Sequence, residues 1–248
     1  SSCTDTTVTV TDDAAASAEG LMTGLVAYFP FNTPNGQTVS NAVAGGANGT
    51  MSNYKTNARS QHYEPSLDGL GYSGSGALDC VTLDKNAFHE EVDSDGKLGK
   101  WLTMSAWVYH DAKANQSGSI SWNPSIIYKK SAFDLIYLTM PNEDDPTVDD
   151  GTRGFWIYQG LSSGGNKYAM PAKDPANRWM HIYLALDRQC DYTVGHDQSE
   201  LWIDGVKQVP STVGWGKGRI NDYAIYIGGG NGYSSTKNHS EGRWYNSK

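Results

Sequence analysis

The chain has 248 residues and a formal net charge of −8, with 28 glycines and far more Tyr and Trp (15 and 8) than Phe (5). That length suits one large β domain with a sizeable core. The charge argues against a nucleic-acid partner, which needs clustered Lys and Arg, because the longest cationic run is Lys129-Lys130. No apolar stretch reaches the roughly 18 residues of a membrane span, and three cysteines are too few for a disulfide scaffold.

In chain order, the setting of Cys3 in Ser1-Ser2-Cys3-Thr4-Asp5 looks like the processing junction of a bacterial lipoprotein. On that reading Cys3 carries lipid and residues 1–19 form a flexible polar tether; the competing reading is a linker with a spare thiol. Spacing alone leaves open whether Cys80 and Cys190 pair. The domain is expected over residues 20–248, beginning with the apolar run Leu25–Phe31 and its turn at residues 32–36. A long irregular stretch to about Gly76 should follow, then a strand over 77–83. Residues 102–109 alternate Leu102, Met104, Ala106 and Val108 with Thr103, Ser105, Trp107 and Tyr109, the period of a strand. Because the second set includes large rings, coverage on both faces is expected. Further strands are expected at 125–129, 133–139, 154–159, 179–187, 200–203 and 223–228. Short strands between turn signals, without helical periodicity or a fixed repeat, predict an all-β, antiparallel two-sheet jelly-roll sandwich.

Six segments in order resemble the concanavalin A-like lectin/glucanase superfamily, in its bacterial laminin-G-like branch. They are Gly24-Leu-Val-Ala-Tyr-Phe-Pro-Phe-Asn32, Gly76-Ala-Leu-Asp79, Leu102-Thr-Met-Ser-Ala-Trp-Val108, Arg178-Trp-Met-His-Ile-Tyr-Leu-Ala-Leu186, Leu201-Trp-Ile-Asp-Gly-Val206 and Ile225-Tyr-Ile-Gly-Gly229. Trp-Ile-Asp-Gly is also, by its own chemistry, a strand entering a tight hairpin turn. The resemblance implies a first strand at 24–32. It also implies a final strand after Trp244-Tyr-Asn-Ser-Lys248: either the protein continues, the preferred reading, or another segment covers that edge.

Glycan-cleaving members of that superfamily carry carboxylates on alternate residues of one strand, and glycoside hydrolysis needs two acids flanking the bond. No Glu-x-Asp-x-Glu run occurs here. Glu200 and Asp204 enclose Leu-Trp-Ile but lead into a turn, and Glu90 and Glu91 fall in an expected loop. No catalytic residue is therefore expected. His181, among apolar neighbours, reads as a packed structural histidine. For calcium, Asp93 and Asp95 open like a cation loop but lack the later bidentate acid. The preferred reading of these two and of the denser acidic residues 142–150 is a solvated acidic loop rather than a calcium site. The resemblance implies calcium near the first turn, where the chain has Asn32 and Asn41.

Aromatic rings are the positive signal, because sugars stack on Trp and Tyr while amides and carboxylates hold their hydroxyls. Trp122, Trp215, Asn231 and Tyr233 fall in expected loops, and Trp156 and Tyr158 share one face of a strand. Trp107 and Trp179, on strands, are expected in the core. Three functions follow: a non-catalytic, lectin-like carbohydrate-binding domain whose partner is a polysaccharide or glycan, a divergent glycoside hydrolase or lyase, or an adhesive spacer that binds protein. Each would work outside the cell or on a bacterial surface, with calcium as the one cofactor considered.

Overall fold

The computed structural model describes residues 24–32, 35–51, 63–66, 69–73, 80–88, 99–110, 125–129, 132–138, 154–159, 165–169, 178–190, 193, 195–211, 213–214, 216, 218–228 and 244–246. Among them every regular element is a strand. In chain order these are β1 (Thr38–Val39), β2 (Gly49–Met51), β3 (Tyr63–Ser66), β4 (Gly69–Ser73), β5 (Val81–Leu83), β6 (Trp101–His110), β7 (Ser125–Lys129) and β8 (Phe133–Leu138). They continue as β9 (Gly154–Gln159), β10 (Gly165–Ala169), β11 (Trp179–Asp187), β12 (Glu200–Ile203), β13 (Val206–Lys207), β14 (Ile225–Ile227) and β15 (Trp244–Asn246). One sheet runs β1-β2-β5-β14-β7-β8-β9-β10 and the other β13-β12-β11-β6-β15-β4-β3, all pairings antiparallel. The chain is an antiparallel two-sheet jelly-roll sandwich.

Alternation in the long strands produces this arrangement. On β11, Met180, Ile182, Leu184 and Leu186 are buried, as are Leu201 and Ile203 on β12. These residues meet Val81, Leu83, Phe133, Leu135, Phe155, Ile157 and Ile225 of the eight-stranded sheet in one hydrophobic cluster. Each such side chain contributes on the order of 1.5–3 kcal/mol by leaving water. A buried polar staple also joins the sheets. The Gln159 amide at the end of β9 donates to the Asp187 carbonyl (2.8 Å) and to Ser199 Oγ (3.0 Å). Ser199 Oγ in turn accepts from the Asp187 amide (3.0 Å).

The Asp204-Gly205 turn between β12 and β13 is the tight hairpin that its sequence predicts. Both residues have positive φ (51° and 78°), and Ile203 stands opposite Val206.

Several expectations are corrected. Leu25–Phe31 makes no strand: Phe31 is left-handed (φ 55°), and the run is tied instead to the loop beyond it. The Tyr28 amide donates to Asn41 Oδ1 (3.0 Å), and the Tyr28 carbonyl accepts from the Ala42 amide (2.8 Å). Val26, Ala27 and Phe29 pack on the core without a ladder. The stretch to Gly76, expected to be irregular, contains β1, β2, β3 and β4. Residues 244–246, expected to precede the closing strand, form β15 inside the seven-stranded sheet, between β6 and β4. Cys80 and Cys190, whose pairing the sequence left open, are both buried, and no disulfide joins them. Among the described residues no helix is long and apolar enough to cross a membrane.

Candidate functional site

With even-numbered residues of β11 facing the core, Trp179, His181 and Tyr183 face outward. On β6 the odd-numbered residues Trp101, Thr103, Ser105, Trp107 and Tyr109 likewise face outward; on β12, where Leu201 and Ile203 are buried, Glu200 and Trp202 do. The antiparallel register lines these side chains up in rungs across the strands. Trp179 stands opposite Tyr109, and His181 opposite Trp107. Tyr183 stands between Ser105 and Trp202. The next rung, Ala185 with Thr103 and Glu200, carries no ring. Three aromatic rungs thus lie about 6.8 Å apart along β11, two residues per step.

This face is open to solvent. Tyr183 is 38% exposed, Ser105 is exposed, and the other rings of the three rungs are half-buried. Ring planes are inclined within a rung: Trp107 and His181 lie 5.1 Å apart at 49°, and Tyr109 and Trp179 5.6 Å apart at 58°. Both expectations for this face are corrected: β6 is not covered on both sides, and Trp107 and Trp179 are not core. His181 lies on the outer surface, beside Trp107 and Ser105.

Polar groups edge the rings. Ser105 Oγ and His181 Nε2 are 2.8 Å apart. Asp204 accepts from the His181 main-chain amide (2.9 Å) and from Arg178 (2.7 Å). Burial pulls the Asp204 carboxyl upward, but those two hydrogen bonds and the neighbouring cationic charge outweigh it and hold it below the ordinary carboxylate range. Lys207 and Trp202 Nε1 both donate to Glu200, and hydrogen bonding from Lys207 is the main cause of its lowered pKa. The Lys207 ammonium also lies 5.9 Å from the centre of the Trp202 ring.

Ser105 and His181 resemble a nucleophile and its base, but such a base needs a third group holding its other ring nitrogen. Asp204, the nearby acid, is engaged with the main chain of His181 and with Arg178. Glu200 and Asp204 each hold a cation of their own rather than facing each other across a cleft.

The opposite outer face, on the eight-stranded sheet, receives the predicted residue Tyr158. Phe155 and Ile157 are fully buried, so positions 156 and 158 fall on the outward side of β9. Register sets Thr82, Tyr226, Tyr128, Asp134 and Tyr158 in one row across five strands. Tyr128 and Tyr226 stack at 6.2 Å and 27°. Tyr128 is only 5% exposed, and burial, with Cys80 nearby, pushes the Tyr226 phenol above its ordinary value. Asn41, at the turn where the resemblance implied calcium, spends its carbonyl oxygen on the Tyr28 and Val43 amides (3.0 Å each) and its amide on the Ala47 carbonyl (3.2 Å). The predicted residues Trp122, Trp215, Asn231, Tyr233, Asp93, Asp95 and Cys3 lie outside the described residues, as does the side chain of Trp156.

Sequence reasoning missed the rungs, although their signal is present in Trp-x-Tyr on β6, Trp-x-His-x-Tyr on β11 and Glu-x-Trp on β12. Alternation puts each set on one side of its strand; only the register joins them.

No family model matches the chain, and no curated protein does. Solved structures that resemble it include domain 4 of AbnA, a GH43 extracellular arabinanase from Geobacillus stearothermophilus, in complex with arabinotriose. That match has 16% identity over 90% of this chain and 92% of that one, with a TM-score of 0.48. The alginate lyase Aly36B matches at 15% identity over 88% of this chain and 93% of that one, with a TM-score of 0.46. The binding domain of Paraclostridial Mosquitocidal Protein 1 matches at 11% over 75% and 41%, with a TM-score of 0.44. Superpositions this loose transfer no activity, and the sandwich assignment rests on the strand pairing itself.

Proposed function

We propose that this chain is a non-catalytic, lectin-like carbohydrate-binding domain of a secreted or surface protein, a laminin-G-like relative within the concanavalin A-like superfamily. The supporting observation is the set of three aromatic rungs on the outer side of the seven-stranded sheet, with Tyr183 exposed and the other rings half-buried. A contiguous, partly exposed ring surface edged by polar groups suits a binding site. Sugar C–H faces stack on the rings, while Ser105, His181 and Glu200 lie within reach of hydroxyls. An adhesive surface for protein would present similar rings, so the test must separate the two. Affinity electrophoresis in gels cast with soluble polysaccharides should show retardation of the chain by at least one of them, and Tyr183→Ala with Trp202→Ala should abolish it while leaving the melting temperature nearly unchanged. Unretarded migration through every polysaccharide would end the carbohydrate reading.

A further inference from the structure

Resting on that carbohydrate reading, we infer that the ring face selects an uncharged glycan and engages three contiguous sugar units laid along β11. Length comes from the rungs. Trp179 with Tyr109, His181 with Trp107, and Tyr183 with Trp202 follow one another at steps of about 6.8 Å. An extended pyranose chain advances by somewhat less per unit, so a trimer centred on the middle rung sets its outer units over the inner edges of the two outer rungs. At the Tyr183 end the block is bounded by Ala185, Thr103 and Glu200, where no ring is available for stacking.

Charge selection comes from the pairing of the two described cations that border the rungs. Arg178 is held by Asp204 and Lys207 by Glu200. A uronate or sulfate over the rings would have to break one of those pairs to find a counter-charge. It would also approach a chain whose net charge is already −8. Hydroxyl groups meet no such obstacle, because paired carboxylates and Ser105 still accept or donate hydrogen bonds.

Isothermal titration with neutral gluco-, manno- and arabino-oligosaccharides from dimer to hexamer, beside oligogalacturonates of the same lengths, tests this directly. For a neutral series that binds, affinity should climb roughly fivefold or more from dimer to trimer, the worth of one added stacking contact, and then level off. Trp179→Ala should move that plateau back to the dimer. Trp101→Ala, two rungs beyond the block, should leave it at the trimer. Near-ultraviolet circular dichroism checks that both variants are folded. Affinity that keeps climbing through the hexamer, or no gain beyond the dimer, overturns the three-unit site and leaves the carbohydrate reading standing. Tighter binding of oligogalacturonates, weakened by salt, overturns selection of uncharged sugar. Silence across both series, together with unretarded migration in the polysaccharide gels, removes the carbohydrate reading and this inference with it.

Discussion

The two outer faces of the sandwich both carry aromatic rows, and they differ in how one tyrosine of each meets solvent. On the eight-stranded sheet, Tyr128 and Tyr226 stack beside Asp134 in a row whose central ring is 5% exposed. On the seven-stranded sheet, Tyr183 stands 38% exposed between Ser105 and Trp202. Both faces follow the same alternation and the same antiparallel register. What differs is the surroundings of each ring. A tyrosine that has lost its water contributes to stability, whereas one that keeps it has surface left for a ligand.

The comparison breaks most sharply under truncation. Tyr128→Ala should cost about 3 kcal/mol of folding free energy, as expected for emptying a buried aromatic site. Tyr183→Ala should cost less than about 1 kcal/mol and instead abolish most glycan binding. Chemical denaturation and titration of the two variants side by side would show this exchange of effects. Equal stability losses would mean that the two faces are not different in kind.

The second expected effect concerns the turn that positions Asp204 beside the rungs. Gly205→Ala places a side chain at φ 78° and should cost about 1–2 kcal/mol, read as a lower denaturation midpoint. Melting-point retention would show that the turn relaxes elsewhere.

Two carboxylates give smaller effects of opposite sign. Asp204 has a lowered folded pKa, so its contribution is present above the unfolded value and lost as pH falls through the folded one. Asp204→Asn should therefore destabilise at neutral pH, and the difference should shrink in acid. Asp197 is raised, mainly by burial and against hydrogen bonds from Ser199 and Gln159. Its contribution is complete below the unfolded value and lost as pH rises through the folded one. Asp197→Asn should therefore gain on the parent at neutral pH and lose that gain in acid. Melting curves between pH 3 and 8 (a window taken from the ordinary carboxylate range) should separate the two variants in sign.

Much of the fold was legible because its long strands carry their period openly. The bounds of β7, β9, β11 and β12 coincide with apolar or alternating runs, and Asp204-Gly205 announces its turn by composition. Two- and three-residue strands such as β1, β2 and β15 are too short to show a period; their pairing is decided by neighbours distant in sequence. Leu25–Phe31 misled for a related reason. Apolarity predicts burial there, and the run does pack on the core, but ladder partners are a separate matter. Its main chain is bonded to the loop at Asn41 and Ala42 instead. Half of the site was legible in the same sense. Period two places Trp107 with Tyr109, and Trp179 with Tyr183, each on one side of a strand, but a strand's own residues do not reveal what covers that side. Trp107 and Trp179 read as core because they lie on strands rather than in loops, while the register that assembles three rungs from three strands comes from long-range pairing.

Soaking crystals of the chain with the tightest-binding neutral trisaccharide is the most direct measurement. Sugar density running along β11 over Trp179, His181 and Tyr183 is the expected result. Density lying instead across Tyr158 and Tyr226, on the eight-stranded sheet, would contradict the assignment of binding to the open face.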